Sequence, residues 1–216
     1  MPTKNGYTRP GYRACAKMVT QDATKALSIA RQVKNMLNTE LHIINTNDTD
    51  ATVPNTATLV LLNGSSQGDS TAQHQGNQFR LKSVNLNYSL CIHASATDTL
   101  VRVMVILDRR PDGAVFTLAE LLVDSTAGDN VISPYHHDYK RRFRVLYDRK
   151  HSLGSNNKGK ALGKAYKALN NIQRFTGTGA TISSIEAPSI YLVFLSDEAT
   201  NTPTITYYSQ VRFIDN

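Results

Sequence analysis

Tryptophan is absent and cysteine nearly so, with two thiols, Cys15 and Cys91, in 216 residues. Two cysteines cannot build a disulfide framework, and they suit a reducing compartment in which both stay unpaired. Glycine and proline number only 12 and 7, which excludes collagen-like and low-complexity chains. Long apolar runs are missing as well. The longest, Val103 to Leu107 and Ile190 to Leu195, stop at five and six residues, far below the ~20 that cross a bilayer as a helix. No membrane partner is expected. Residues 1 to 20 lack a continuous apolar h-region, so the sequence predicts a protein outside the ordinary secretory route.

What is present is a globular composition, 40% apolar and 19% charged, long enough for one core that buries roughly 70% of the unfolded surface. The 24 Lys and Arg exceed the 17 Asp and Glu by seven, and the excess is concentrated. Residues 1 to 40 carry seven basic residues against two acidic ones, and residues 140 to 174 carry eleven against Asp148 alone. The rest of the chain is net negative. Such segments are either solvated faces or contacts for a polyanion, whose phosphates release counterions when neutralised. The candidate nucleic-acid contacts are Lys4, Arg9, Arg13, Lys17, Lys25, Arg31 and Lys34 at the amino end, with Arg141, Arg142, Lys158, Lys160 and Lys164 in the second segment.

Residues 1 to 20, with Pro2, Gly6, Pro10 and Gly11, read as an arm with little order of its own. From Gln21 to Asn38, Ala26, Ile29, Ala30, Val33, Met36 and Leu37 recur at three- and four-residue spacing, the mark of an amphipathic helix capped by Thr20 or Asp22. Asn45 to Thr58 turns to Asn, Thr, Asp and Pro54 and reads as a connector, placing the domain boundary near residues 50 and 51. Beyond it the period becomes two. Strands are predicted over Thr58 to Leu62, Phe79 to Ile92, Leu100 to Leu107, Tyr139 to His151, Ser189 to Leu195 and Ile205 to Phe213. The parity of the second slips at Lys82-Ser83, which calls for a β-bulge. Ser189 to Leu195 is apolar on both faces and predicts a doubly covered central strand. Phe116 to Val123 reads as a short helix and Gly154 to Gly163 as a loop, while Tyr166 to Phe175 is weakly patterned. Seven or eight strands with no helix between successive ones specify an all-β antiparallel sandwich or barrel over residues 51 to 216, preceded by a basic arm and helix over residues 1 to 50.

Catalytic constellations are missing. His136-His137-Asp138 has no second histidine pair at metal-ligand spacing, Gly177-Thr178-Gly179 lacks the Lys-Ser/Thr of a phosphate loop, and neither GxSxG nor HExxH occurs. The expectation is a protein that is not an enzyme. Asn47-Asp48-Thr49, Asn63-Gly64-Ser65 and Asn87-Tyr88-Ser89 match the glycosylation sequon, and without a secretory leader they read as unused. Aromatic residues interleave the second basic segment; Phe143 and Tyr147 have core parity, whereas Tyr166 and Phe175 are open to either core or base stacking.

The order of these features resembles the single jelly-roll capsid proteins of small icosahedral viruses. Asn45 to Asp69 with its Gly64-Ser65-Ser66-Gln67-Gly68-Asp69 end, and Gly76-Asn77-Gln78-Phe79-Arg80-Leu81-Lys82-Ser83, are similar to satellite necrosis virus coat proteins. Gly76 to Ser83, Val105 to Gly113 with Asp108-Arg109-Arg110-Pro111, and Tyr139 to Leu146 are similar to geminivirus-type coat proteins of circular single-stranded DNA viruses. Val211-Arg212-Phe213-Ile214-Asp215 fits the terminal strand of both. The resemblance implies an eight-stranded jelly roll that assembles into a closed homo-oligomeric shell of sixty copies, with the basic arm facing a packaged single-stranded genome. It implies a place in the virion, and in the host-cell interior, nucleus included, during assembly; the host receptor is left open. The Asp108-Arg109-Arg110-Pro111 stretch favours DNA over RNA. The arm departs from the family in lacking a dense Arg/Lys run, which implies that residues 140 to 174 share the packaging. Calcium at subunit contacts is implied at Asp215 and the carbonyls from Ser65 to Gly68, Gln67 among them, since Ca²⁺ accepts irregular all-oxygen ligation. The competing reading is a cellular β-sandwich that binds nucleic acid or glycan.

Overall fold

The computed structural model describes residues 21–32, 41–156 and 159–215, and the chain divides into two units, Met1–Thr39 and Glu40–Asn216. In the first, residues 21–32 form helix α1, with every side chain exposed; the predicted continuation to Asn38 lies outside the described residues. No helix is long and apolar enough to cross a membrane among the described residues.

Among the described residues the second unit holds nine strands: β1 (Leu41–Thr52), β2 (Thr58–Leu61), β3 (Gln78–Cys91), β4 (Asp98–Asp108), β5 (Phe143–Gly154), β6 (Lys160–Phe175), β7 (Ile185–Ala187), β8 (Ser189–Ser196) and β9 (Thr204–Asp215). They form a five-stranded sheet in the order β1-β9-β3-β6-β7 and a four-stranded sheet in the order β2-β8-β4-β5. Every pairing is antiparallel, and β1 with β9, β2 with β8, β3 with β6 and β4 with β5 nest like one long hairpin folded over itself. That is the eight-stranded jelly roll, with β7 as a three-residue addition at one edge.

Between the sheets lies a core that includes Leu81, Leu86, Leu90, Val103, Val105, Leu192, Phe194, Val211 and Phe213. The alternation predicted for β3 holds because register shifts at Leu81/Ser83, so Ser83 and Val84 are both buried and apolar residues stay inward on either side. In β5 a second shift sets Val105 opposite Tyr147 and Ile106 opposite Val145, leaving Leu146 as the extra residue. It turns Leu146 inward and leaves Val145 exposed and Tyr147 half-buried, against the simple alternation of Phe143, Val145 and Tyr147.

Two segments differ from expectation. Leu41–Thr52 is a strand and not a connector, so the body begins at Glu40 rather than at residue 51. It is an edge strand paired only to β9, and beyond His42 and Ile44 its polar side chains are mostly exposed, which conceals a period of two. Strand β6 begins at Lys160, inside the predicted loop. Its inward positions opposite Leu90, Tyr88 and Leu86 are Ala161, Gly163 and Ala165, too small to give an apolar signal. Gly163 is required there, since a Cβ would overlap the Tyr88 ring. Tyr88 crosses the sandwich, its hydroxyl lying 2.9 Å from that of Tyr147 and 2.7 Å from His151 Nε2.

A second core covers the other face of the four-stranded sheet. Met104, Ile106, Tyr191, Val193 and Leu195 alternate with the first set along β4 and β8, and they pack under Phe116, Leu121, Leu122, Val131 and Phe143. Those partners come from residues 109–143, the long connection between β4 and β5, which contains the one-turn helix α2 (Leu118–Leu121), shorter than predicted. Thr117 N–H caps it by donating to the Glu120 carboxylate at 2.8 Å.

Two arginines fasten this cover. Arg102 of β4 is 2% exposed; its Nε and Nη2 donate to the two Asp148 oxygens at 3.0 and 2.8 Å, and Nη1 donates to the Ser133 carbonyl at 2.6 Å. Tyr135 lies beneath the guanidinium at 5.0 Å and donates its hydroxyl to Asp148 at 2.7 Å. Arg142, from the cover, donates to the fully buried Asp108 through Nε and Nη2, and to Glu120 at 2.6 Å. Burial alone raises the Asp148 carboxyl, but the hydrogen bonds from Arg102 and Tyr135 and the guanidinium charge outweigh it and hold it below the usual carboxylate range. Replacement Asp148→Ala leaves a buried guanidinium without its counter-ion, and a stability loss of about 3 kcal/mol is expected. Because the carboxyl is depressed in the folded state, its stabilisation is present above the unfolded carboxylate value, near ~4, and disappears as pH falls through the folded one. Urea unfolding of parent and variant at pH 7 and pH 3 checks both: the difference between them should shrink in acid.

Candidate nucleic-acid interface

The basic residues singled out from sequence do not form one patch. Lys4, Arg9, Arg13, Lys17, Lys34 and Lys158 lie outside the described residues. Lys25 and Arg31 are exposed on α1. The segment from 140 to 174 is divided between sheets, β5 running at the edge of the four-stranded sheet and β6 within the five-stranded one. Arg142, expected to contact nucleic acid, instead commits its guanidinium to Asp108 and Glu120 and supports the fold. Arg141 is exposed beside it, and its carbonyl accepts from Arg109 at 3.4 Å. Lys160 and Lys164 are exposed on β6.

The two faces of the sandwich differ in what reaches solvent. The outer face of the four-stranded sheet lies under residues 109–143, whereas the outward face of the five-stranded sheet displays side chains in rows set by strand register. One row reads Asn45, Gln210, Asn85 and Tyr166 across β1, β9, β3 and β6; the next reads Asn47, Tyr208, Asn87 and Lys164. Six of these residues, all but Tyr166 and Lys164, line with Ser209 a shallow depression of about 250 Å³. Tyr166 and Tyr208 are 63% and 58% exposed. Arg212, one pair further along β9, donates to Gln210 Oε1 at 2.9 and 3.0 Å, and Gln210 donates to Asn45 at 3.3 Å. Asn85 Oδ1 is buried with no hydrogen-bond partner. The two rows contain no carboxylate.

This separates the two undecided aromatics. Tyr166 stands in solvent among amides and cations, and Phe175 is buried, stacked on the His74 ring at 3.9 Å. The amides and Tyr208 went unrecognised in sequence because a charge count does not see them. Their signal was the outward parity of Asn85 and Asn87 on β3 and of Tyr208 and Gln210 on β9.

The expected calcium residues are brought to one corner. Asp215 Oδ2 accepts from the Gln75 amide at 2.5 Å, and the Gln67 side chain donates to the Gln75 carbonyl at 2.9 Å. Ser65 donates its hydroxyl to the Ala72 carbonyl at 2.8 Å. Asp215 Oδ1 is buried and without a hydrogen-bond partner. No group of three or more His, Cys, Asp or Glu side chains with metal-binding geometry occurs among the described residues.

Comparison with known proteins places this geometry. In structure, Desmodium yellow mottle tymovirus aligns over 82% of this chain and 86% of its own at 12% identity and a TM-score of 0.38. A semi-empty virus-like particle of the giant freshwater prawn Macrobrachium rosenbergii nodavirus aligns over 82% and 83% at 10% identity and a TM-score of 0.34. Israeli acute paralysis virus aligns over 83% and 68% at 11% identity and a TM-score of 0.28. No curated protein matches by sequence. The profile of the satellite tobacco necrosis virus coat protein family matches residues 15–216, from the arm through the last strand. With that match lying over the nested two-sheet jelly roll, the chain belongs to the satellite tobacco necrosis virus coat protein family and is the capsid protein of a small icosahedral virus.

Proposed function

We propose that this coat protein closes into a shell of sixty copies around a single-stranded RNA genome, with its amino-terminal arm turned inward. The observation that carries the reading is the family match, which takes in α1 with Lys25 and Arg31 as well as the body. The arm's local excess of five positive charges suits a phosphate backbone bound without regard to sequence. RNA replaces the DNA indicated by Asp108-Arg109-Arg110-Pro111. The matching family is that of an RNA satellite virus, which supports RNA, and the burial of Asp108 in the clamp with Arg142 gives this motif a structural role that is independent of the genome. Size-exclusion chromatography with light scattering, read with the ratio of absorbance at 260 and 280 nm, tests the assembly. A megadalton peak whose nucleic acid is degraded by ribonuclease after disruption is expected; a monomer or dimer that persists across salt and calcium overturns it in favour of the cellular binding module. Deleting residues 1 to 38 should leave the sandwich folded and lower the nucleic acid content, whereas Arg142→Ala should lower stability and leave the content per particle unchanged.

We also propose calcium at the corner formed by Asp215 and the Ser65 to Gly68 carbonyls. The unpartnered Asp215 Oδ1 supports this fit, and one carboxylate with a few carbonyls is a partial shell that a neighbouring copy would complete, since Ca²⁺ takes six to eight oxygens. At a hundredfold excess over the Kd, a ligand of the folded state raises the melting temperature of a chain this size by roughly 5–10 °C. Parent particles should show that difference between calcium and chelator, and Asp215→Asn should abolish it. Equal melting of the parent in both removes the site.

A further inference from the structure

We infer that the outward face of the five-stranded sheet is a stacking platform for unpaired bases, an inference that rests on the packaging reading above. Three features of one surface point to it. The first is accessibility: the four-stranded sheet is covered by residues 109–143, and the five-stranded sheet shows its side-chain rows to solvent. The second is chemistry. Tyr208 and Tyr166 are large, flat and exposed, and neither hydroxyl has a hydrogen-bond partner among the described residues. By strand and residue spacing they are two strands and two residues apart, about 12 Å, so each can hold a separate base. Between them stand Asn85 and the exposed Asn87, whose amide offers both donors and an acceptor to base edges. The third is charge. Lys164 continues the Tyr208 row, Arg212 flanks Gln210, and neither row contains a carboxylate, which favours phosphate next to each tyrosine.

Together these groups select single strands. Bases in a duplex are stacked on one another and present no face to a tyrosine, while unpaired bases stack on aromatic side chains with little sequence preference. The amides add contacts to base edges, and the cations neutralise the backbone. The arm then serves as a general counter-charge, and the sheet face as the part of the shell that distinguishes an unpaired segment from a duplex.

The test uses the full-length protein, dissociated from particles, and fluorescent ten-nucleotide RNA, single-stranded or annealed to its complement. Tyr208→Ala and Tyr166→Ala should each weaken single-strand binding roughly tenfold and leave duplex binding alone, with the dependence on salt unchanged. Tyr208→Phe and Tyr166→Phe should bind as the parent, because stacking needs the ring and not the hydroxyl. Lys164→Ala and Arg212→Ala should instead each lower the slope of log affinity against log salt by ~0.7. Both tyrosines are solvent-exposed, and circular dichroism of each variant confirms the fold. Alanine variants that bind single strands as tightly as the parent, or lose single-strand and duplex binding equally, overturn the platform. The packaging reading fails separately, when parent particles hold no nuclease-protected nucleic acid, and oligonucleotide binding then still decides what the sheet face does.

Discussion

The four-stranded sheet has no face suited to water, and the rest of the molecule is arranged around that constraint. Every residue of β8 is buried, and in β4 the positions from Val101 to Asp108 are all buried. Such a sheet needs a cover on both sides. One side is the five-stranded sheet, through a shared apolar core. The other is the connection from 109 to 143, which has little regular structure and would gain little order from its own backbone hydrogen bonds. Its attachment falls to side chains: the aromatic and aliphatic groups over Met104 and Tyr191, and the two arginine clamps. Arg102 reaches outward from the strand to carbonyls of the cover, and Arg142 reaches inward from the cover to a buried carboxylate on the strand. Each bidentate pair fixes direction as well as contact.

Covering one face leaves the other to meet solvent or nucleic acid. The five-stranded sheet is buried only on its inner side, so its outward residues are released from packing and can be chosen for chemistry. They are mainly amides, tyrosines and cations. The same division explains the edges. Strand β5, open on one side, carries exposed Arg144, Arg149 and Lys150, charges that oppose strand-to-strand aggregation. Between the sheets, a buried amide pair sets their junction: Asn63 donates to Gln173 at 2.6 Å and to the Pro188 carbonyl at 3.0 Å, and accepts from the Ile190 amide at 2.7 Å. With the Gln173 amide returned to the Asn63 carbonyl at 3.1 Å, this link between β6 and the start of β8 is fully satisfied despite complete burial.

Much of this was legible in the sequence where burial writes a pattern. The bulge in β3, the doubly covered β8 and the regular alternation of β9 follow from period and parity alone. Strand β1 was hidden because an edge strand facing water carries Asn, Thr and Asp where a central one carries Val and Ile. Strand β6 was hidden because its inward residues are small beneath Leu86 and Tyr88. The roles of basic residues were the least legible. Arg141 and Arg142 are adjacent and chemically identical, yet one meets solvent and the other a buried aspartate 34 residues earlier, a pairing that local sequence does not encode. The acidic partners of the clamps, Asp108, Glu120 and Asp148, are scattered, and only the fold assembles them.

The charge balance links these levels. Arg102 and Arg142 are more than neutralised by Asp108, Glu120 and Asp148, so the clamps contribute nothing to the excess of seven positive charges per chain. Copies brought edge to edge repel one another through that excess, and the repulsion is screened only beyond about 8 Å at physiological salt. A polyanion placed among them removes the repulsion and releases its counterions. Under the packaging proposed above, an arm without a dense basic run leaves part of that neutralisation to the body, and the exposed cations of the five-stranded sheet stand on the face that residues 109–143 do not cover. The burial that forces residues 109–143 onto one sheet therefore also leaves the outward face of the other open, the face inferred above to take unpaired bases.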